Sequence, residues 1–171
     1  MDSFSIILVV VLLILVILSA FFSGSETSIM ALNQIKLDNA EKQGNKSAKI
    51  INSLRKEINR VLGVILIGNN LVNISASALL TFFVIKKFGD EYVWIGTLLL
   101  TIFIIIFAEI APKSFAAKRP ESIAYPAGRI LKVLTKYLGS FSEMLTSISN
   151  SLTGIKNNEN YFSENLNRDE L

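Results

Sequence analysis

The sequence of 171 residues contains neither cysteine nor histidine. The missing thiols exclude disulfide frameworks and thiolate nucleophiles, and the missing imidazoles exclude zinc sites, haem ligation and triads of the Ser-His-Asp type. Charged residues are also scarce at 18%, whereas 51% of the residues are hydrophobic. This apolar balance makes soluble nucleotide-binding folds poor candidates. The sequence also has neither a glycine-rich phosphate loop nor an internal repeat. Any chemistry of this chain must therefore use oxygen-bearing side chains.

Long apolar runs dominate what is present. Three of them stand out, namely Ser5–Phe22, Val61–Ile85, and a third from Tyr92 to about Ala117. An apolar stretch of about 18 residues is long enough to cross a bilayer. Asp2, and no basic residue, precedes the first run, which favours a membrane anchor over a secretory signal peptide. The sequence predicts an all-α membrane protein with three transmembrane helices, the second and third forming a hairpin.

The positive charges lie mostly on one side of these spans. Seven Lys and Arg residues lie between Gln34 and Arg60, two between the second and third runs, and eight from Lys113 onward. The positive-inside rule then places the first loop and the C-terminal third in the cytoplasm and the N-terminus outside. We expect a multi-pass protein of the inner (plasma) membrane, in contact with lipid, and no nucleic-acid partner.

The cytoplasmic segments are predicted to be juxtamembrane helices. Residues 36–60 read as two short polar helices broken at Gln43, Gly44 and Asn45. Apolar residues recur at spacings of three and four from Ile130 to Leu152, which predicts an amphipathic helix. It lies either at the membrane interface or on a partner domain. We expect residues 1–153 to form the membrane and juxtamembrane domain, and residues 154–171 to form a polar linker.

Polar residues interrupt each apolar run. They are Ser23, Gly24, Ser25, Glu26, Thr27 and Ser28 in the first span, Asn69, Asn70 and Asn73 in the second, and Glu109 in the third. With cytoplasmic edges near Gln34, Arg60 and Lys118, the residues Ser25, Asn69 and Glu109 each lie nine positions inside, roughly 13 Å deep. The sequence thus predicts that the three polar clusters share one level of the bilayer.

Glu109 needs a partner, because an ionised carboxylate in hydrocarbon costs at least about 2.5–3.5 kcal/mol. Lys113, one turn away, could pair with it. A bound cation is the alternative, since hydroxyl, amide and carboxylate oxygens favour Mg²⁺, Ca²⁺ or Na⁺. Pro112 is predicted to free the Ala108 carbonyl beside Glu109, and Gly24 allows a comparable irregularity in the first span. Taken singly, the Ser and Asn clusters also suit helix packing.

With these motifs in order, the chain resembles the transmembrane domain of the CNNM/CorC family of magnesium transporters. The resemblance covers about residues 5–150 and rests on the segments 22–27, 68–73 and 108–113. It implies Mg²⁺ export, with Na⁺ entry as a candidate driving force, a homodimer, and a cytoplasmic CBS-domain pair that binds ATP with Mg²⁺. That pair is not among these residues, and we expect it in the full-length chain.

The family's ion site, carried onto this sequence, implies a set of metal ligands from all three spans. They are Ser23, Ser28, Asn69, Asn70, Asn73 and Glu109, with Ser25 and Thr27 as alternatives in the first span. Candidate donors for a coupled Na⁺ are Ser75, Ser77 and Thr81, whose hydroxyls could equally bond their own helix. The alternative function is a membrane-embedded Mg²⁺ sensor or regulator that binds the ion without moving it. An enzyme is not expected, since no second carboxylate is placed with Glu109.

Overall fold

The computed structural model describes residues 3–153, the side chains of 149, 150 and 153 excepted, and within these residues there is no strand. The predicted linker at 154–171 lies outside the described residues. The elements are α1 (Ser3–Ala31), α2 (Gln34–Lys42), α3 (Lys46–Arg55), α4 (Ile58–Phe88), a 3₁₀ turn (Asp90–Tyr92), α5 (Val93–Ile104), a π-helix (Ile105–Ile110), α6 (Ala111–Lys118) and α7 (Pro120–Thr153).

Three helical segments are long and apolar enough to cross a membrane, which confirms the three predicted spans. They are α1, α4 and the continuous segment Asp90–Lys118. The first of these is the centre of the bundle, because α1 packs against α4, the π-helix, α6 and α7. α4 and α5 form the predicted hairpin, in which Gly96 lies so close to Val84 that an added Cβ would come within 2.9 Å of Val84 Cγ2.

The contact between α1 and α4 depends on Gly68, which is buried under the ring of Phe22. A Cβ at position 68 would overlap the ring atoms, so any other residue would require the ring of Phe22 to move. Below this contact the apolar core continues through buried residues of α1, α3, α4 and α7, among them Ile29, Ile51, Val61, Ile65 and Leu131. The core therefore joins the spans to the juxtamembrane helices.

The two predicted polar helices are α2 and α3, separated at Gly44, whose φ is +87°. Each begins with an asparagine cap: Asn33 Oδ1 accepts from the Lys36 amide at 3.0 Å, and Asn45 Oδ1 accepts from the Ser47 amide at 2.9 Å. Arg55 ends α3 and donates to the Leu32 carbonyl at 3.0 Å, which ties α3 to the end of α1. Burial lowers the pKa of the Arg55 guanidinium, and the charge of Asp38 partly opposes this shift.

The predicted amphipathic helix is α7, which begins at Pro120, ahead of the periodic segment, and continues through Pro126. Its buried side, which includes Ala124, Ala127 and Leu131, packs on α1, α3 and α4. Burial and the charge of Glu121 raise the pKa of Tyr125. The opposite side exposes large apolar residues, among them Ile130, Val133, Tyr137, Phe141 and Ile148.

Candidate functional site

One face of α1 carries two serines that are almost fully buried. Ser19 and Ser23 are one helical turn apart and each is 1% exposed. The Ser19 hydroxyl donates to Asn69 Oδ1 of α4 at 2.9 Å. The Ser23 hydroxyl has no hydrogen-bond partner among the described residues. This face of α1 therefore offers one satisfied and one unsatisfied hydroxyl inside the bundle.

The other two serines of the α1 cluster are also buried but differ in their bonding. Ser28 donates to the carbonyl of Ser25 at 3.0 Å, the local bond that hydroxyl residues often make inside helices. Ser25 is fully buried, and its own hydroxyl lacks a partner within residues 3–153. Ser25 and Ser23 are two residues apart and thus project from different sides of α1. Because the Ser28 hydroxyl is already hydrogen-bonded and the Ser25 hydroxyl is not, Ser25 is the better candidate ligand.

The three asparagines of α4 do not share one environment. Asn69 and Asn73 are half-buried and one turn apart, whereas Asn70 is exposed on another side of the helix. Asn73 Oδ1 is enclosed and has no hydrogen-bond partner in the part of the chain described. The structure therefore brings Asn69 and Asn73 to the inside of the bundle and leaves Asn70 outside it.

Glu109 lies in the π-helix, which ends immediately before Ala111 and Pro112. The Ala111 amide bonds to the Ile106 carbonyl, five residues back instead of four. The backbone is therefore irregular beside Glu109, where Pro112 lacks an amide hydrogen, and the free Ala108 carbonyl stays a prediction. The irregularity predicted at Gly24 was wrong, because α1 continues as a regular helix through it. Gly24 packs on α6 instead, and an added Cβ would lie 3.6 Å from Pro112 Cβ.

The predicted alternative in which Lys113 neutralises Glu109 was wrong as well. Lys113 Nζ lies 3.5 Å from Glu26 Oε2, an ion pair between α6 and α1. The half-buried Glu109 carboxylate forms neither an ion pair nor a hydrogen bond with any other described residue. It is therefore a carboxylate inside a span without a protein cation to balance it.

The contacts between helices place two of the three clusters at the same depth. Ser19 lies opposite Asn69, and Gly24 lies opposite Pro112, so Glu109 lies about one turn before that contact, near Phe21. Ser25 lies six positions beyond Ser19, or about 9 Å nearer the end of α1. The prediction of one shared level thus fits Asn69 and Glu109, and Ser25 is displaced from it.

Ser19 is the residue that reasoning from the sequence missed. It is a polar interruption of the first apolar run and precedes Ser23 by one turn, the same spacing that joins Asn69 to Asn73. This shared spacing of four residues could have indicated from the sequence that Ser19 belongs to the polar interior. Among the described residues no group of three or more acidic or histidine side chains is assembled. The polar interior is thus built from neutral oxygens and one carboxylate, donors that suit a hard cation.

These features define a three-span helical membrane domain with a polar interior. The chain belongs to the CNNM family, whose sequence model, described as the Cyclin M transmembrane N-terminal domain, matches residues 10–171. The resemblance stated from the sequence is thereby confirmed.

Curated relatives agree with this membership. The chain is 44% identical over 135 residues to the UPF0053 inner membrane protein YfjD of Escherichia coli, covering 79% of this chain and 32% of the relative. It is 40% identical over 148 residues to a UPF0053 protein of Haemophilus influenzae, covering 86% and 35%. The chain thus spans about a third of the length of these two relatives.

Proposed function

We propose that this membrane domain transports Mg²⁺ out of the cell across the plasma membrane, with its N-terminus outside. The observation that carries the proposal is a set of buried oxygens without partners: Ser23 Oγ, Ser25 Oγ and Asn73 Oδ1. Buried polar groups are normally hydrogen-bonded, so three unpartnered oxygens in spans that also carry an unpaired carboxylate point to a ligand held in the bundle at times. A cation held beside Glu109 would balance this carboxylate and satisfy the unpartnered oxygens that lie nearest to it.

The donor set favours Mg²⁺ over softer metals. Mg²⁺ prefers near-octahedral oxygen ligands at about 2.0–2.1 Å and often retains several waters. One carboxylate among neutral oxygens leaves the occupied site with a net positive charge, so release is easy. Among the ligands implied by the resemblance, Ser23, Asn73 and Glu109 have free oxygens. Asn69 already accepts from Ser19, Ser28 bonds within α1, and Asn70 lies outside the bundle interior.

The π-helix gives this site a means of opening to either side. A π-helix holds one extra residue in a helical turn, and its return to α-geometry rotates the residues it contains by about 100° relative to the rest of the span. Glu109 lies inside that turn. A change in the turn would therefore swing the carboxylate relative to Ser23 and Asn73 while α1 stays fixed.

Homodimerisation and Na⁺ coupling remain parts of this proposal. A shallow groove of about 580 Å³ lies on α4, lined by Ile74, Ser77, Ala78, Thr81 and others. Small and hydroxyl residues allow close helix approach, which supports this side of α4 as a dimer face. Ser77 and Thr81, predicted as Na⁺ donors, line that groove. A CBS pair in the full-length protein would attach after α7.

A sensor remains the second candidate, because α7 packs directly on both α1 and α4. Binding of an ion in the polar interior could thus shift α7 and be detected by a cytoplasmic partner, without any ion crossing the membrane. Like the transporter, a sensor uses no catalysis.

The test is calorimetric titration of the purified protein with Mg²⁺, followed by Mg²⁺ flux in proteoliposomes. The variants are Asn73→Ala and Glu109→Gln, with the exposed Asn59→Ala as a matched control on the same helix. The transporter requires binding and flux that are lost in the first two variants and kept in the control. Binding without flux would favour the sensor, and binding indifferent to Asn73 and Glu109 would refute the site.

A further inference from the structure

A polar cleft of about 380 Å³ opens where α1 and α6 end and α7 begins. Its polar lining comprises Asn33, Lys36, Lys118, Arg119, Glu121 and Ser122. The two loops that meet here, α1 to α2 and α6 to α7, leave the membrane on the same side, since both follow spans that run in the same direction. The volume lies within the range of sites for small molecules and headgroups.

The cleft is positively charged, and its cations have no partners. Lys36, Lys118 and Arg119 are exposed, and none of them forms an ion pair within the described part of the chain. Arg55 and Arg60, in contrast, are bonded to a carbonyl and to carboxylates. Glu121 is the one carboxylate in the lining, so the cleft carries a formal charge of +2. Such a cleft suits an anion of low charge.

The position of the cleft indicates which kind of anion it binds. Ala31 and Leu32 close one side of the cleft, and Pro120 adds further apolar surface at its rim. The cleft lies at the ends of two spans, the level at which the bilayer changes from acyl chains to headgroups. Basic pockets at this level, next to the ends of spanning helices, are suited to anionic lipid headgroups.

We propose that this cleft binds the phosphodiester headgroup of an anionic phospholipid. Lys36 approaches from the start of α2, while Lys118 and Arg119 approach from the end of α6, so one phosphate would bridge the first and third spans. Glu121 disfavours a polyphosphate, because each further negative charge would be repelled by its carboxylate. The proposal concerns a site separate from the polar interior and does not depend on Mg²⁺ transport.

The test compares a cleft variant with a variant of equal charge. The cleft variant carries Lys36→Gln, Lys118→Gln and Arg119→Gln together. The control carries Lys42→Gln, Lys46→Gln and Lys49→Gln, three exposed lysines of the same juxtamembrane segment that do not line the cleft. Both are purified in detergent and titrated with phosphatidylglycerol, with phosphatidylcholine and with inorganic phosphate. Bound lipid is counted by native mass spectrometry, and the melting temperature is recorded.

We expect one tightly bound phosphatidylglycerol that raises the melting temperature of the parent and the control. The cleft variant should bind it roughly 10- to 100-fold more weakly, since each cation near the surface contributes to anionic lipid binding. Equal losses in both triple variants would reduce the effect to general charge attraction and overturn the proposal. Equal binding of phosphatidylcholine, or stabilisation by inorganic phosphate alone, would overturn the assignment to an anionic lipid.

Discussion

Lys113 Nζ lies 3.5 Å from Glu26 Oε2, and this ion pair leaves Glu109 without a cationic partner among the described residues. Both partners are 47% exposed, so neither side chain is enclosed by the protein. The position of the pair matters more than its strength. The pair joins α1 to α6 one turn beyond Glu109, and it satisfies the lysine that could otherwise have neutralised that residue. The free carboxylate is therefore available to an ion.

Glu109→Gln should weaken Mg²⁺ binding strongly and leave the fold intact. The substitution keeps the shape of the side chain and removes its charge, which no described residue balances. We expect Mg²⁺ affinity to fall by at least 10-fold, because a hard divalent cation depends on its anionic ligand. The melting temperature without Mg²⁺ should stay the same or rise, since an unpaired charge is costly inside a span. Calorimetry and thermal melting measure the two quantities, with the exposed Glu91→Gln as control.

Lys113 should be coupled energetically to Glu26 and not to Glu109. In a double-mutant cycle with Glu26→Gln and Lys113→Gln, the coupling free energy of unfolding should be favourable and clearly different from zero. The same cycle with Glu109→Gln in place of Glu26→Gln should give a coupling near zero. A charge exchange, Glu26→Lys with Lys113→Glu, should restore stability lost in either single change. Coupling of Lys113 to Glu109 alone would contradict the observed pairing.

The spans could be predicted because each is encoded in a continuous apolar run, and α7 because its apolar residues keep a helical period. The break at Gly44 also follows from local sequence. The pair Ser19–Asn69 could not be predicted, because it depends on the relative register of α1 and α4, which the packing of Phe22 on Gly68 fixes. The π-helix likewise depends on how the third span packs beside Pro112, although the proline itself marked the place.

Ser19→Ala should lower the stability of the protein and Ser23→Ala should not, although the two residues are one turn apart. Ser19 donates to Asn69, and such bonds in membrane proteins are worth about 0.6 kcal/mol on average, so its loss should lower stability. The Ser23 hydroxyl has no partner, so its removal should leave stability unchanged or raise it. Mg²⁺ affinity should fall in Ser23→Ala. Thermal melting with and without Mg²⁺ compares the two, and equal destabilisation by both would contradict the bonding described.

Gly68→Ala should disrupt the contact between α1 and α4, whereas Gly24→Ala should be tolerated. A methyl group at position 68 would overlap the ring of Phe22, and overpacking of this kind costs about 1–3 kcal/mol. The nearest atom to a methyl group at position 24 would be Pro112 Cβ at 3.6 Å, an ordinary contact. Alanine is also the better helix former, so Gly24→Ala could gain about 1 kcal/mol.

Phe22→Leu tests whether overlap with the Phe22 ring is what destabilises Gly68→Ala. The smaller side chain should partly restore the melting temperature of Gly68→Ala, because it leaves room for the added methyl group. The same change alone should destabilise the parent, since it leaves a cavity over Gly68. If Phe22→Leu lowered the stability of both backgrounds equally, the two residues would not be in contact, and the register that places Ser19 against Asn69 would have to be wrong.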